Sequence, residues 1–292
     1  MVNMNRLDAS RQVQVVKCLC DGMSIRSTIR LTGVAKNTIV KLLCEMGCAC
    51  ASHHHRSVRN LAVRRLQCDE IWSFVGAKKK NATPAQEQEE WGDVWTWTAI
   101  DADTKLCVTY LVGDRGKHSA FAFMEDCAPR IVGRFQITTD QHKPYLAVVE
   151  KAFGGATDYA HLQKIYGAPE PTEARYSPAS CIGGEIETVT GVPDPKHVST
   201  SYVERQNLSM RISMRSFTRL TKAFSKKVEN HGHAVALYFA YYNFCRIHKT
   251  PHITPAMEAG LTNHVWSVEE LISLLPKEEA KRRGPYKKQI SN

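Results

Sequence analysis

The order of β-rich and helical segments is the feature of this sequence that most restricts its fold. From Leu66 onward, three runs rich in β-branched and aromatic residues predict consecutive strands: LQCDEIWSFV, VWTWTAID and LCVTYLV. Residues 117–132 then suit a helix, FQITTD a fourth strand, KPYLAVVEKAFG a helix and TDYAHLQKIY a fifth strand. Three strands followed by alternating helices and strands predict an α/β protein with a mixed sheet and an antiparallel edge.

The first 50 residues have a different pattern, because their apolar residues recur at helical spacing. Ser24 is placed to cap a second helix, Gly33 lies in a turn, and a third helix over about residues 35–46 is ended by Gly47. Three short helices with a glycine turn before the last one predict a helix-turn-helix DNA-binding domain over residues 1–50.

The remaining boundaries follow from composition. Residues 51–64 are polar and basic and predict a linker, after which the α/β domain is expected over residues 65–250. Five of the 12 prolines and four glycines fall within residues 167–198, which predicts a long loop inserted into that domain. Helices are predicted from about residue 201 and over about residues 225–248, and residues 251–292 form a C-terminal extension.

The charge of the chain favours a polyanionic partner. It has 39 Lys and Arg against 29 Asp and Glu, a formal net charge of +10, and much of the surplus lies in residues 1–65 and 195–228. No apolar run approaches the roughly 18 residues of a membrane span, and the first residues lack the apolar core of a secretory signal. We therefore expect a cytoplasmic protein without membrane contact, in which the ten cysteines are reduced.

Three carboxylates lie where the elements of such a sheet converge. Asp69 is within the first predicted strand, Asp140 closes the fourth, and Glu204 is in the first turn of the later helix. Strand ends and helix starts meet near the switch point of an open α/β sheet, and three carboxylates there could bind two divalent cations for phosphoryl transfer. Spacing alone leaves other readings open, because Ser201-x-x-Glu204 is also a capping box and strand-end aspartates often cap turns.

The chain resembles the bacterial insertion-sequence DDE transposases, most closely the family numbered one. The segments that carry the resemblance, spread over about residues 10–265, are QCDEIWSFV, GDVWTWTAIDADTK, ITTDQHKPY, STSYVERQNL and YYNFCRIHKT. The resemblance implies a ribonuclease-H-like core in which Asp69, Asp140 and Glu204 are the catalytic triad and bind two Mg²⁺ or Mn²⁺ ions. It also implies a basic residue seven positions after the glutamate, a place that Arg211 occupies. The zinc-ribbon module with which better-known members begin is not visible in this sequence.

Two groups of residues are candidate DNA contacts. The first faces away from the apolar positions of the third predicted helix and could reach phosphates or base edges: Lys36, Asn37, Thr38 and Lys41. The second repeats every four residues and predicts a basic stripe along one helix: Arg211, Arg215 and Arg219. For both groups a solvated helix face is the alternative.

A separate set of metal-capable residues lies at the end of the third predicted helix. It consists of Cys44, Cys48, Cys50 and His53 to His55. The Cys48-x-Cys50 spacing is tighter than in a usual zinc knuckle, and Cys44 falls on the apolar helix face, so a buried thiol followed by a polar linker is the alternative to a zinc site.

The resemblance implies a transposase that binds the terminal inverted repeats of its element and target DNA, then cleaves and joins strands. Because an element has two ends, we expect a homodimer or higher oligomer on DNA, in the bacterial cytoplasm and associated with the nucleoid when bound. Two alternatives stay open: a non-catalytic DNA-binding regulator derived from a transposase, and a metal-dependent nuclease without joining activity. The presence of all three acids argues against the regulator.

Overall fold

A mixed six-stranded sheet organises the structure. The computed structural model describes residues 7–167, 181–218 and 222–276. The strands, in the spatial order β3-β2-β1-β4-β5-β6, are β1 Arg65–Val75, β2 Gly92–Asp101, β3 Cys107–Gly113, β4 Phe135–Thr139, β5 Thr157–Tyr166 and β6 Cys181–Thr190. The helices are α1 Ala9–Cys20, α2 Ile25–Thr32, α3 Lys36–Ser57, α4 Pro84–Gln88, α5 Lys117–Cys127, α6 Pro144–Phe153, α7 Ser201–Ser213, α8 Val228–Phe244, α9 Pro255–Glu258 and α10 Val268–Ser273. The predicted α/β class with a mixed sheet is confirmed.

The central strand β1 is only partly covered by its neighbours. It runs antiparallel to β2 from Leu66 to Val75, but it pairs with the parallel strand β4 only over Arg65, Leu66 and Gln67. β4 is short, with five residues, and it ends at Thr139. Beyond Gln67, therefore, one edge of β1 is open at the point where β4 ends.

Helices cover both faces of the sheet, as the alternation of buried side chains along β1 requires. Leu66 and Cys68 point toward a core that includes residues of α5 and α6. Ile71 points to the other face, where it packs with residues of α7 and α8. None of the helices in the described ranges combines the length and hydropathy that a membrane span needs.

The N-terminal helices are joined to this sheet through α8. Their apolar residues share one core with Ala236, Leu237 and Ala240 of α8 and with Val268 and Leu271 of α10. As predicted, Ser24 caps α2, and Gly33 ends it with a φ of 67°. The third helix is longer than predicted, because it continues through Gly47 to Ser57, so residues 51–57 are helical and not part of a linker.

Gly47 is a contact point between helices and not a helix end. A Cβ atom at this position would lie 2.4 Å from the Cβ and 2.5 Å from the Cα of His233 in α8. Only glycine permits α3 and α8 to approach this closely, and the packing outweighs the low helix propensity of the residue.

The predicted loop over residues 167–198 also needs a correction. Within it, Cys181–Thr190 form β6, which is antiparallel to β5 and exposed along most of its length. Because an exposed edge strand lacks an apolar alternation, its composition resembles that of a loop. Residues 168–180 lie outside the described part of the chain.

The close contact between α3 and α8 gives a test of this packing. We expect Gly47→Ala to lower the free energy of unfolding by about 1–3 kcal/mol, because the new methyl group must push the helices apart. The matched control is Gly232→Ala in α8, where nothing lies within 4 Å of the added Cβ atom, and a gain of up to about 1 kcal/mol is expected. Urea unfolding of both variants measures the difference, and equal stabilities would contradict the packing.

Candidate catalytic carboxylate site

Three carboxylates meet at the open edge of β1. The carboxylate oxygens of Asp69, Glu70 and Asp140 lie within 4.8 Å of one another, which makes them the one candidate metal-binding group in the described residues. Asp140 follows the last residue of β4, and the other two lie on β1 just beyond its pairing with β4. Asp69 points toward the face that α7 covers and Glu70 toward the opposite face, and Asp140 reaches both from the gap between the strands.

Helix α7 is anchored to β1 beside Asp69. The side-chain carbonyl of Gln67 accepts hydrogen bonds from the backbone amides of Tyr202 and Val203 at 2.8 and 3.2 Å. One turn later, Asn207 Nδ2 donates to Asp69 Oδ2 at 2.8 Å. These contacts dock the first two turns of the helix over the carboxylate cluster.

Glu204 lies near this cluster but is held by other groups. Its carboxylate accepts a hydrogen bond from Thr200 Oγ1 at 2.6 Å and forms an ion pair with Lys164 of β5. Its charge contributes to raising the pKa of Asp69, so the two carboxylates interact. The structure thus brings Asp69 and Asp140 into contact and places Glu204 beside them, outside the group of three.

The alternative reading of Glu204 as a capping-box residue is not supported by the geometry. The helix begins after Thr200, and the backbone amide of Ser201 donates to Ser199 Oγ at 3.2 Å. The carboxylate of Glu204 therefore does not close a capping box with Ser201, and Thr200 and Lys164 hold it instead.

Burial and mutual repulsion raise the pKa of both carboxylates on β1. Desolvation, together with the charges of Glu70 and Asp140, raises the pKa of Asp69 to about 7. Desolvation and the charge of Asp140 raise the pKa of Glu70 to about 7, although a hydrogen bond with Tyr145 and the charge of Arg115 partly offset this increase. Clustered carboxylates of this kind have the oxygen donors that Mg²⁺ and Mn²⁺ prefer, so the residues present fit such ions.

Four further residues belong to the site without a sequence pattern that singles them out: Glu70, Arg115, Lys164 and Asn207. Strand alternation places Glu70 on the face of the sheet opposite Asp69. The two carboxylates can approach each other and Asp140 because no strand of the described residues pairs with this edge of β1 beyond Gln67. Asn207 is one helical turn after Glu204, and this spacing was the one signal that could have found it. Arg115 and Lys164 come from distant segments and carry no local signal.

The candidate DNA contacts of α3 lie at its beginning, on the surface. Lys36, Asn37 and Lys41 are exposed, and Thr38 is half-buried. Lys41 Nζ is 3.7 Å from Glu45 Oε1, one turn further along the helix. Exposed ion pairs of this kind are weak, so Lys41 can exchange this partner for a phosphate.

The predicted arginine stripe does not lie on one helix. Arg211 is in the last turn of α7 and its Nη1 donates to the backbone carbonyl of Phe217 at 3.4 Å. The helix ends at Ser213, and Arg215 is exposed in the short 3-10 turn Arg215–Phe217. Because the chain changes direction there, the four-residue spacing no longer keeps side chains on one face, and Arg219 lies outside the described residues.

The cysteine and histidine residues of α3 point in different directions. Cys50 and His54 are buried, and His54 Nε2 lies 3.2 Å from the carbonyl of Cys107. His53 packs against the rings of Phe244 and Trp266. Cys44 Sγ contacts Asn230, and Cys48 Sγ lies 3.9 Å from Nδ1 of His233. These residues do not converge on a common centre in the described part of the chain.

No protein-family model matches this chain, and no curated protein matches it. Its function is therefore inferred from the geometry of the carboxylate site and from the resemblance in its sequence segments.

The raised pKa values predict a pH dependence of stability in the absence of divalent cations. The pKa of Asp69 is about 7 in the folded protein against an ordinary value of 3.8, so the folded state binds protons more tightly. This stabilisation is complete below about pH 4 and is lost as the pH rises through about 7. We expect Asp69→Asn to flatten this decline and to raise stability at pH 8 by about 1–3 kcal/mol, measured by urea unfolding.

Asp158→Asn is the control for this experiment. The hydrogen bond from Arg134 lowers the pKa of Asp158, so that carboxylate stabilises the fold above its unfolded pKa and the contribution is lost as the pH falls. Its replacement should leave the decline between pH 4 and 7 in place. An unchanged pH profile of Asp69→Asn would contradict the assignment of the raised pKa.

Proposed function

We propose that the protein is a DDE transposase that binds the ends of an insertion sequence and catalyses metal-dependent cleavage and joining of DNA strands. The observation that carries the proposal is the convergence of Asp69 and Asp140 at the open edge of β1, with Glu204 held beside them on α7. These are the three positions that the resemblance assigns to the catalytic triad.

The architecture is compatible with the ribonuclease-H-like core that the resemblance implies. Three parallel strands lie at the centre of a mixed sheet, and helices cover both of its faces. The N-terminal helices α1 to α3, with the turn at Gly33 before the last, are compatible with a helix-turn-helix unit. We propose these finer fold assignments together with the function.

Each residue of the site has a role in this proposal. Asp69 and Asp140 would hold divalent cations between them, and Glu204 would complete the ligand set after release from Lys164. Mg²⁺ or Mn²⁺ ions, when bound, would activate the attacking oxygen and stabilise the leaving oxygen. Asn207 keeps the Asp69 carboxylate in one orientation, and the Gln67 contacts keep α7 in place.

The reaction consists of two phosphoryl transfers at this site. In the first, water attacks the scissile phosphate and a 3′-hydroxyl leaves. In the second, that hydroxyl attacks a phosphate of target DNA in line, and a new phosphodiester bond replaces the one that is broken. Both steps need the same arrangement of carboxylates.

Two alternative functions, a non-catalytic regulator and a nuclease without joining activity, differ from a transposase in what they require of the site and in their products. A regulator without catalysis does not require a cluster of partly buried like charges, which is costly to maintain, so the cluster favours an enzyme. A nuclease would cleave end DNA but form no joined product, and a strand-transfer assay with labelled end DNA distinguishes it from a transposase.

We also propose that at least two subunits act together, because one carboxylate site can hold one scissile phosphate at a time. The aromatic residues of α8 do not offer a contact surface for a second subunit, because Tyr238, Phe239, Tyr242 and Phe244 are buried. The exposed edge strand β6 is the candidate contact that remains in the described residues.

Replacement of Asp140 tests the catalytic role. We expect Asp140→Asn to lower the rate of strand cleavage in Mg²⁺ by at least about 10³-fold, because it removes a ligand charge, while binding of end DNA stays within about twofold. The substrates are duplexes that cover the DNA flanking the gene. Asp158→Asn, which changes an aspartate of β5 that pairs with Arg134, is the control and should cleave normally. Near-normal cleavage by Asp140→Asn would overturn the proposed site.

Replacement of Lys41 tests the DNA-binding role of α3. We expect Lys41→Ala to weaken end binding by about 3- to 10-fold and to reduce the slope of log affinity against log salt by about one, because one phosphate contact is lost. Lys17→Ala is the matched control, since Lys17 is also an exposed lysine of the N-terminal helices that pairs with a glutamate, Glu269. Equal effects of the two changes, measured by fluorescence anisotropy, would count against α3 as the recognition helix.

A further inference from the structure

Arg115, in the loop between β3 and α5, is held beside the carboxylate cluster by contacts on three sides. Its Nε donates to Glu70 Oε2 at 3.1 Å, and its Cζ lies 4.7 Å from the centre of the Trp95 ring. Its Nη2 lies 3.6 Å from Asp140 Oδ2. The position of the loop is also determined, because His142 Nε2 is 3.1 Å from the backbone carbonyl of Arg115.

Glu70 anchors this guanidinium from inside the protein. The Glu70 side chain has no exposed surface, whereas 40% of the Arg115 side chain is exposed. A buried ion pair contributes little net stability, because the cost of desolvation offsets the attraction between the charges. Its clear effect here is to fix a cationic side chain at the surface, next to the catalytic carboxylates.

The Nη groups of the Arg115 guanidinium face Asp140 without donating a hydrogen bond to it. Arginine carries five N–H donors in a planar fork, and Glu70 takes the one on Nε. The distance of 3.6 Å to Asp140 is longer than a hydrogen bond, so this contact is a loose ion pair. A planar fork with free Nη donors matches two oxygens of a phosphate.

Lys164, the other cation of the site, is held differently. It pairs with Glu204, whose side chain is 41% exposed, and so has no buried anchor of the kind that Glu70 provides. A flexible ammonium group can follow a moving partner, whereas a stacked and anchored guanidinium stays in one place.

We propose that Arg115 binds a phosphate of the DNA substrate at or next to the bond that is cut, and that Glu70 is a positioning residue that aims the guanidinium. The inference rests on the proposed function and adds to it a substrate contact outside the three predicted acids. Arg115 exchanges the loose contact with Asp140 for a phosphate oxygen when DNA enters the site. Its positive charge then stabilises the negative charge that develops on the phosphate.

The test combines protein variants with DNA in which single phosphates near the cut are replaced by uncharged methylphosphonates. We expect Arg115→Ala to lower single-turnover cleavage by about 10²-fold, and Arg115→Lys, which keeps the charge but loses the fork, by about 10-fold. One methylphosphonate position should lower cleavage by the wild-type protein but cause no further loss in Arg115→Ala, because the same contact is removed twice.

Two controls separate this role from an effect on folding. Arg115→Ala leaves Glu70 buried without its partner, so the double variant Glu70→Gln/Arg115→Ala is measured as well and should show the same insensitivity to that methylphosphonate. Arg134→Ala removes an arginine that pairs with Asp158 on the same sheet and should cleave every substrate like the wild type. Glu70→Gln alone should have a smaller effect than Arg115→Ala. We expect it either to raise KM for end DNA or to lower kcat, in the latter case by less than Arg115→Ala lowers it.

The outcomes distinguish this inference from the proposed function. The inference is wrong, and the proposed function stands, in either of two cases. In the first, the wild-type protein cleaves and Arg115→Ala cleaves equally well. In the second, every methylphosphonate lowers the cleavage rate of Arg115→Ala as much as it lowers that of the wild type. If the wild-type protein does not cleave in Mg²⁺, the proposed function fails. The same methylphosphonate comparison, made on binding in Ca²⁺, then decides whether Arg115 contacts a phosphate.

Discussion

Repulsion among carboxylates at the open edge of β1 is the constraint on which the site depends. Asp69, Glu70 and Asp140 are close together because β4 ends where β1 continues, and no neighbouring strand fills the gap. Partly buried like charges raise one another's pKa, and the surrounding structure must hold them in place. Such an arrangement destabilises the metal-free fold and suits the binding of divalent cations.

The residues around the cluster meet this constraint in different ways. Arg115 offsets part of the charge of Glu70 and Asp140, and Lys164 pairs with Glu204. Asn207 gives Asp69 a neutral hydrogen-bond donor and adds no charge. The four carboxylates still exceed the two cations by a formal two negative charges, so the site retains an attraction for cations.

Helix α8 connects this site to the N-terminal helices. One side contributes Ala236, Leu237 and Ala240 to the core shared with α1 and α3, and the other contributes Tyr238 and Phe239 to the core beneath α7. A helix that is apolar on all sides is buried on all sides. Under the proposed function, the close contact at Gly47 therefore couples the DNA-binding helices to the catalytic face as one packed unit.

Local sequence patterns predict most of the elements and single out three of the acids. The β-branched runs predicted five of the strands, and the helical spacing predicted most helices, because local periodicity depends on which face of each element is buried. The tertiary structure, by contrast, places Gly47 inside a helix, makes residues 181–190 an edge strand and leaves Arg215 beyond the end of α7. It alone brought Glu70, Arg115 and Lys164 to the site, because their proximity depends on where β4 ends and on contacts between segments distant in the chain.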